Sequence, residues 1–266
     1  MIKNKKLLFF IFIGLILLLF WIQETDSDYI IERDIGIHNR VFKEYVVFYP
    51  QHQDDEVLWG GSALKRAINT LGTDHVFVVL GSDGSGVNVF KDKFYENKSR
   101  KEKEELRNKE FYAALYDLGI KEEHILILAD MDNKSGNHFD LMREVALGFE
   151  KKYKSVTHVA HTYKYDDHPM HRKNGSIIVD LYNSGKIKDA MFYLKPKYIK
   201  KVPSDKRVIY KTRNHEDYQA IVNACNEYRV INKDEDRHGI GYISAHSHFD
   251  QLLSDPELTS VFHLPY

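Results

Sequence analysis

Four short apolar runs limit what this chain can fold into: Tyr45–Tyr49 (YVVFY), His75–Leu80 (HVFVVL), His124–Leu128 (HILIL) and Thr157–His161 (THVAH). None keeps a regular polar–apolar alternation, so each reads as a strand covered on both faces. Helical spacing fills the intervals. Val57, Leu64, Ala67, Ile68 and Leu71 recur over residues 56–71, with Gly72 at the stop. Ser99-x-x-Glu102 has the pattern of a capping box, ahead of a helix that carries Leu106, Ala113, Ala114 and Leu118 and closes at Gly119. A helix around 172–183, a strand at 190–194 and a helix around 215–228 complete the plan. Apolar strands separated by amphipathic helices predict an α/β fold, a parallel sheet with helices on both faces.

Ligands of such sheets bind beyond the carboxyl ends of the strands. The loops there are the ones that carry chemistry. After the first strand comes YPQHQDDE, residues 49–56, with His52 followed by Asp54, Asp55 and Glu56. Adjacent carboxylates repel, and removing each from water is costly unless a positive charge is present. After the fourth strand comes Asp166-Asp167-His168-Pro169-Met170-His171. His52, Asp55 and His171 together make a two-histidine, one-carboxylate set, which is the donor set of a catalytic zinc site and also suits ferrous iron. A divalent ion held there offsets the clustered negative charge. The bland alternative, a solvated acidic helix start, explains the carboxylates but neither histidine motif.

These motifs carry a resemblance. His-x-Asp-Asp-Glu after the first strand and His-Pro-x-His after a later one are similar to the LmbE/PIG-L family of metal-dependent N-deacetylases, from about Tyr45 to Tyr182. Arg107-x-x-Glu110 with Ala114, Leu118 and Gly119 resembles that family's arginine-bearing helix. The resemblance implies that His52, Asp55 and His171 hold zinc. It makes Asp54 the general base, His168 a cationic histidine beside the oxyanion, and Arg107 a substrate contact. Asp132 matches a substrate-supporting carboxylate, a role for which Asp130 competes. Gln53 stands where the family usually has proline, and Met170 where it usually has aspartate. The expected activity is deacetylation of an N-acetylated sugar of the glucosamine type, free or in a glycolipid. Hydrolysis of a non-sugar or thiol-conjugate amide stays open, as does a sugar-binding module that keeps the metal without turnover. The fold expected is a Rossmann-like, mostly parallel sheet.

Other features weigh less. His246-x-His248-x-Asp250 could chelate zinc if both side chains left one face of a strand. The remaining histidines, His161 among them, read as structural or surface residues. GSDGSG, residues 81–86, lacks phosphate-loop spacing and reads as a rim loop with Asp83 facing substrate. The aromatic and basic run 87–98 is a lid or an ordinary surface loop. A net charge of −1 offers no basic excess for nucleic acid. The single cysteine, Cys225, excludes an internal disulfide and reads as a small buried side chain.

The N-terminus differs from the rest. Lys3, Lys5 and Lys6 precede an apolar run over residues 7–22 with no small-residue cleavage pattern behind it. Residues 1–23 are therefore expected to form a single-pass membrane anchor, with residues 24–266 as the catalytic domain outside the cytoplasm. Cleavage of the segment would leave the domain secreted.

Overall fold

The computed structural model describes residues 40–132 and 134–266. The expected anchor falls outside them. Among the described residues no helix is long and apolar enough to cross a membrane.

Strands β1 (Tyr45–Phe48), β2 (Val76–Leu80), β3 (Ile125–Ile127), β4 (Val156–His161) and β5 (Ala190–Tyr193) pair in parallel. Two further strands, β6 (Arg207–Tyr210) and β9 (Ser260–His263), extend the sheet, and its order is β3-β2-β1-β4-β5-β9-β6. β9 runs antiparallel to both of its neighbours. The sheet is mostly parallel, as its apolar runs imply, and mixed at one edge. A separate two-stranded hairpin joins β7 (Ile231–Asn232) to β8 (Arg237–His238).

Successive strand side chains point to opposite faces, and each face has its own cover. Val46, Phe48, Val78 and Leu80 pack under helices α1 (Asp55–Leu71), α2 (Arg100–Leu118) and α6 (His215–Glu227). Val47, Tyr49, Phe77 and Val79 pack under α4 (Phe139–Tyr153) and α5 (Pro169–Asn183). A short helix, α3 (Leu128–Asp132), follows β3, and α7 (Ile240–Ser254) lies near the chain's end. The capping box at Ser99 forms in both directions: Ser99 N–H donates to Glu102, and Glu102 N–H to the Ser99 hydroxyl. Cys225 is buried and free.

Candidate metal and catalytic site

β1 ends at Phe48 and α1 begins at Asp55, so the HQDD turn is confined between a buried strand and a buried helix. Asp54 caps α1 with φ 129° and ψ −28°, a conformation rare for any residue with a Cβ. Such backbone costs about 1–3 kcal/mol and persists only where its surroundings over-determine it. Asp55, 3% exposed, is the hub. Its Oδ1 accepts from Trp59 Nε1–H at 3.0 Å, and its Oδ2 from the His52 backbone N–H at 2.8 Å. Oδ2 also lies 3.3 Å from His52 Nδ1, 3.2 Å from His161 Nε2 and 3.3 Å from His171 Nε2.

The three residues expected to bind metal converge. His52 Nδ1 and His171 Nε2 are 3.1 Å apart, and each is 3.3 Å from Asp55 Oδ2. Donors about 2.0–2.1 Å from a tetrahedral ion stand about 3.3 Å from one another. The spacing therefore fits zinc. His171 has its other nitrogen fixed: Nδ1 meets Asp166 Oδ2 at 3.1 Å, the usual outer support of a ligating histidine. Asp166 in turn pairs with Lys195 Nζ at 3.1 Å.

Protonation follows from burial and charge. Burial opposes an ionised Asp55, but His171 and His161 outweigh it and hold the carboxyl well below its usual range. Burial likewise opposes a charged His171, yet Asp55 and Asp166 raise it to about 9. Burial pushes His52 and His161 down to about 4, so both are neutral near pH 7. Burial raises the Asp54 carboxyl well above the ordinary value, against the pull of Arg107. Burial, with His171 and His52 next in weight, takes His168 to about 4. Burial first, and two histidine neighbours after it, thus favour the neutral imidazole at His168, where the resemblance implies a cation.

These residues border a cavity of about 560 Å³. Asp54, His168 and Arg107 all line it. Arg107 is 2% exposed; it donates to the Gln53 carbonyl at 2.5 Å and to Asp54 Oδ2 at 3.2 Å. His168 caps α5, its backbone N–H donating to Asp166 Oδ1 at 2.8 Å, and its ring lies 4.8 Å from that of His52. Asp132 is not brought to the cavity. Its carboxylate instead accepts from Lys134 N–H at 3.0 Å and meets His138 Nδ1 at 3.1 Å, closing the loop after α3 on itself. Asp130 points elsewhere too, to Lys101 at 2.5 Å.

Three further residues contribute to the site. His161, which reads from sequence as structural, ends β4 at the functional rim; its ring stacks on His171 with centroids 3.9 Å apart. Trp59 lies one helical turn after Asp55, which is the signal for its bond to that carboxylate. His248 lies on α7 and enters the cavity wall edge-on to Trp59 at 5.0 Å. The HxH motif is helical, so His246 and His248 leave different faces, and only His248 lines the cavity. Asp83 lines the cavity, and its carboxylate accepts from Gly136 N–H at 2.9 Å, Ser85 N–H at 3.1 Å and Arg100 at 2.5 Å.

The sequence pattern of the PIG-L family, described as GlcNAc-PI de-N-acetylase, matches residues 46–182. The chain belongs to this family. The matched span begins inside β1 and ends in α5, so it contains both halves of the donor cluster. Among solved structures the PIG-L domain is similar to N,N'-diacetylchitobiose deacetylase from Pyrococcus horikoshii, in complex with its inhibitor MPG. Identity is 16%, TM-score 0.56, and 84% of each chain is covered. It is also similar to the teicoplanin-biosynthesis deacetylase in its complex with teicoplanin (11%, TM-score 0.52, 83% of this chain and 97% of that one). A third is the A40926 pseudoaglycone deacetylase Dbv21 (15%, TM-score 0.50, 84% and 96%). At these identities the likeness establishes a shared fold. Comparison with curated proteins gave no match.

Proposed function

We propose that this PIG-L protein is a zinc-dependent N-deacetylase that hydrolyses the acetamide of a glucosamine-type sugar in a glycan or glycolipid. The observation that carries the reading is the His52–Asp55–His171 triangle with edges of 3.1–3.3 Å, bordered by a carboxylate that is not part of it. His52, Asp55 and His171 would hold the ion. When bound, it would acidify water and polarise the acetamide carbonyl.

The chain's own groups supply the rest. Asp54 is the general base: its raised pKa and burial suit it to take a proton from water. As the water oxygen joins the carbonyl carbon and the C–N bond breaks, Asp54 returns that proton to the leaving amine. His168 borders the same cavity as a neutral imidazole, so it donates a ring N–H to the developing oxyanion. Arg107 orients Asp54 and presents the rest of its buried guanidinium to the cavity. Asp166, and Lys195 behind it, keep His171 in its ligating tautomer. The lysines ahead of the apolar run over residues 7–22 support a membrane anchor as part of this proposal, with the domain outside the cytoplasm. Recovery of a mature N-terminus near residue 24 would replace the anchor with a cleaved leader.

The test is acetate release from a panel of N-acetyl sugars, with and without chelator. Chelation should abolish release, and zinc should restore it. Asp54→Asn should keep zinc and lose about 10²- to 10⁴-fold in kcat. His171→Ala should lose the zinc itself. Full turnover in chelator would refute the metal's role, and full turnover by Asp54→Asn would remove Asp54 from proton transfer.

A further inference from the structure

Four non-glycine residues have positive φ among the described residues, and Asp54 is unlike the other three. Lys154, Asp236 and Leu258 lie at 45–62°, in the left-handed helical region, whereas Asp54 lies at 129°. Its neighbours hold the turn from several sides. The Asp54 N–H donates to Glu56 Oε2 at 3.0 Å, and the Asp54 carbonyl accepts from Val57 and Leu58 at the start of α1. On the other side stands Gln53, whose side chain is wholly buried. Gln53 Nε2 donates to the Asp83 carbonyl at 3.2 Å and to Asn108 Oδ1 at 2.8 Å. One amide thus ties the turn to the loop after β2 and to the middle of α2. Space has been left for it: a Cβ at Gly84 would lie 2.1 Å from Gln53 Oε1. Arg107, one residue before Asn108, binds the Gln53 carbonyl and the Asp54 carboxylate with one nitrogen.

We infer that Gln53 is a positioning residue: its amide, fastened to Asp83 and Asn108, holds the strained turn in which Asp54 presents its carboxylate beside Arg107. The inference rests on Asp54 as the proton-transfer group. The Gln53 side chain bonds to none of the donor atoms and does not line the cavity, so its amide acts on the site through the turn that carries Asp54. Removing the amide while keeping the volume frees the turn to relax to ordinary backbone. Asp54 then swings from its place, while His52, Asp55 and His171 keep theirs.

Gln53→Met makes that change. The expected result is a kcat about 10- to 100-fold lower, with KM and zinc affinity within about twofold of the unmodified protein. In an Asp54→Asn background the same substitution should lower the residual rate by less than about twofold, because the two residues act as one unit. An unchanged kcat, or a full loss repeated in the Asp54→Asn background, overturns the inference. A crystal structure of Gln53→Met reads the turn without any assay: φ of Asp54 should leave the positive range, and an unmoved Asp54 overturns the inference. That arm decides the matter even if no sugar tested is turned over, a result that would count against the proposed activity alone. Should Gln53→Met fail to fold, Asn108→Ala leaves Gln53 in place without the nearer of its two acceptors, and the same measurements are read on it.

Discussion

Asp55 and His171 form a buried ion pair that a proton now closes and that a zinc ion would close instead. Because ligating nitrogen must be deprotonated, binding and proton release are linked. The direction follows from the individual groups. Asp55 is held well below the carboxylate range, and His52, at about 4, is already neutral at pH 7. His171, at about 9, is not. Between about pH 7 and 9 the ion must therefore displace the His171 proton, and zinc affinity should rise about tenfold per pH unit, flattening above about 9. Calorimetry of zinc binding in two buffers of different ionisation enthalpy counts that proton directly. Equal heats in both buffers would mean that His171 enters the reaction neutral. The same residues show what a sequence exposes. His52 and Asp55 were legible because they are three apart at the end of an apolar strand. His161 was not, because a histidine that closes a run of buried residues has the same local pattern whether it supports a site or only fills space.

At the scale of elements, α5 carries one of the three donors, His171, and its distance from β4 is fixed by one residue. Gly175 faces the end of β4 so closely that a Cβ would lie 2.0 Å from the His161 carbonyl oxygen and 2.8 Å from the Thr162 carbonyl carbon. Backbone cannot yield as a flexible side chain can. Gly175→Ala should therefore cost about 1–3 kcal/mol of stability. It should also weaken zinc binding, since lifting α5 moves His168 and His171 together. Chemical denaturation and zinc competition measure the two effects; a stability loss with unaltered zinc affinity would show that α5 tilts about its N-terminus instead of lifting. Most helices and strands on the parallel side were legible within one to three residues, because their periodicity is local. α7 and β9 were not. α7 is kinked at Ala245, where φ is −135°, which breaks the helical pattern through its histidines. β9 is four residues long and draws its identity from partners far away in the chain.

Those partners define the whole molecule. β9 lies between β5 and β6, pairing Tyr193 with Phe262 on one side and Val208 with Phe262 on the other. Phe262 is fully buried and packs against Tyr193 at 5.2 Å and Tyr210 at 5.7 Å. Phe262→Ala should thus cost about 3–5 kcal/mol, read as a lowered denaturation midpoint. A loss below about 1 kcal/mol would mean that the edge of the sheet collapses readily around the gap.

The placement of β9 also sets an order of events during synthesis. β5 and β6 leave the ribosome well ahead of the strand that joins them, as residues 190–193 and 207–210 precede residues 260–263. Until those last residues emerge, both strands present unpaired edges, the surface on which nascent chains pair wrongly with one another. The donor cluster is encoded wholly before that point, between His52 and His171, so the growing chain carries the residues proposed to hold metal while its sheet is still open.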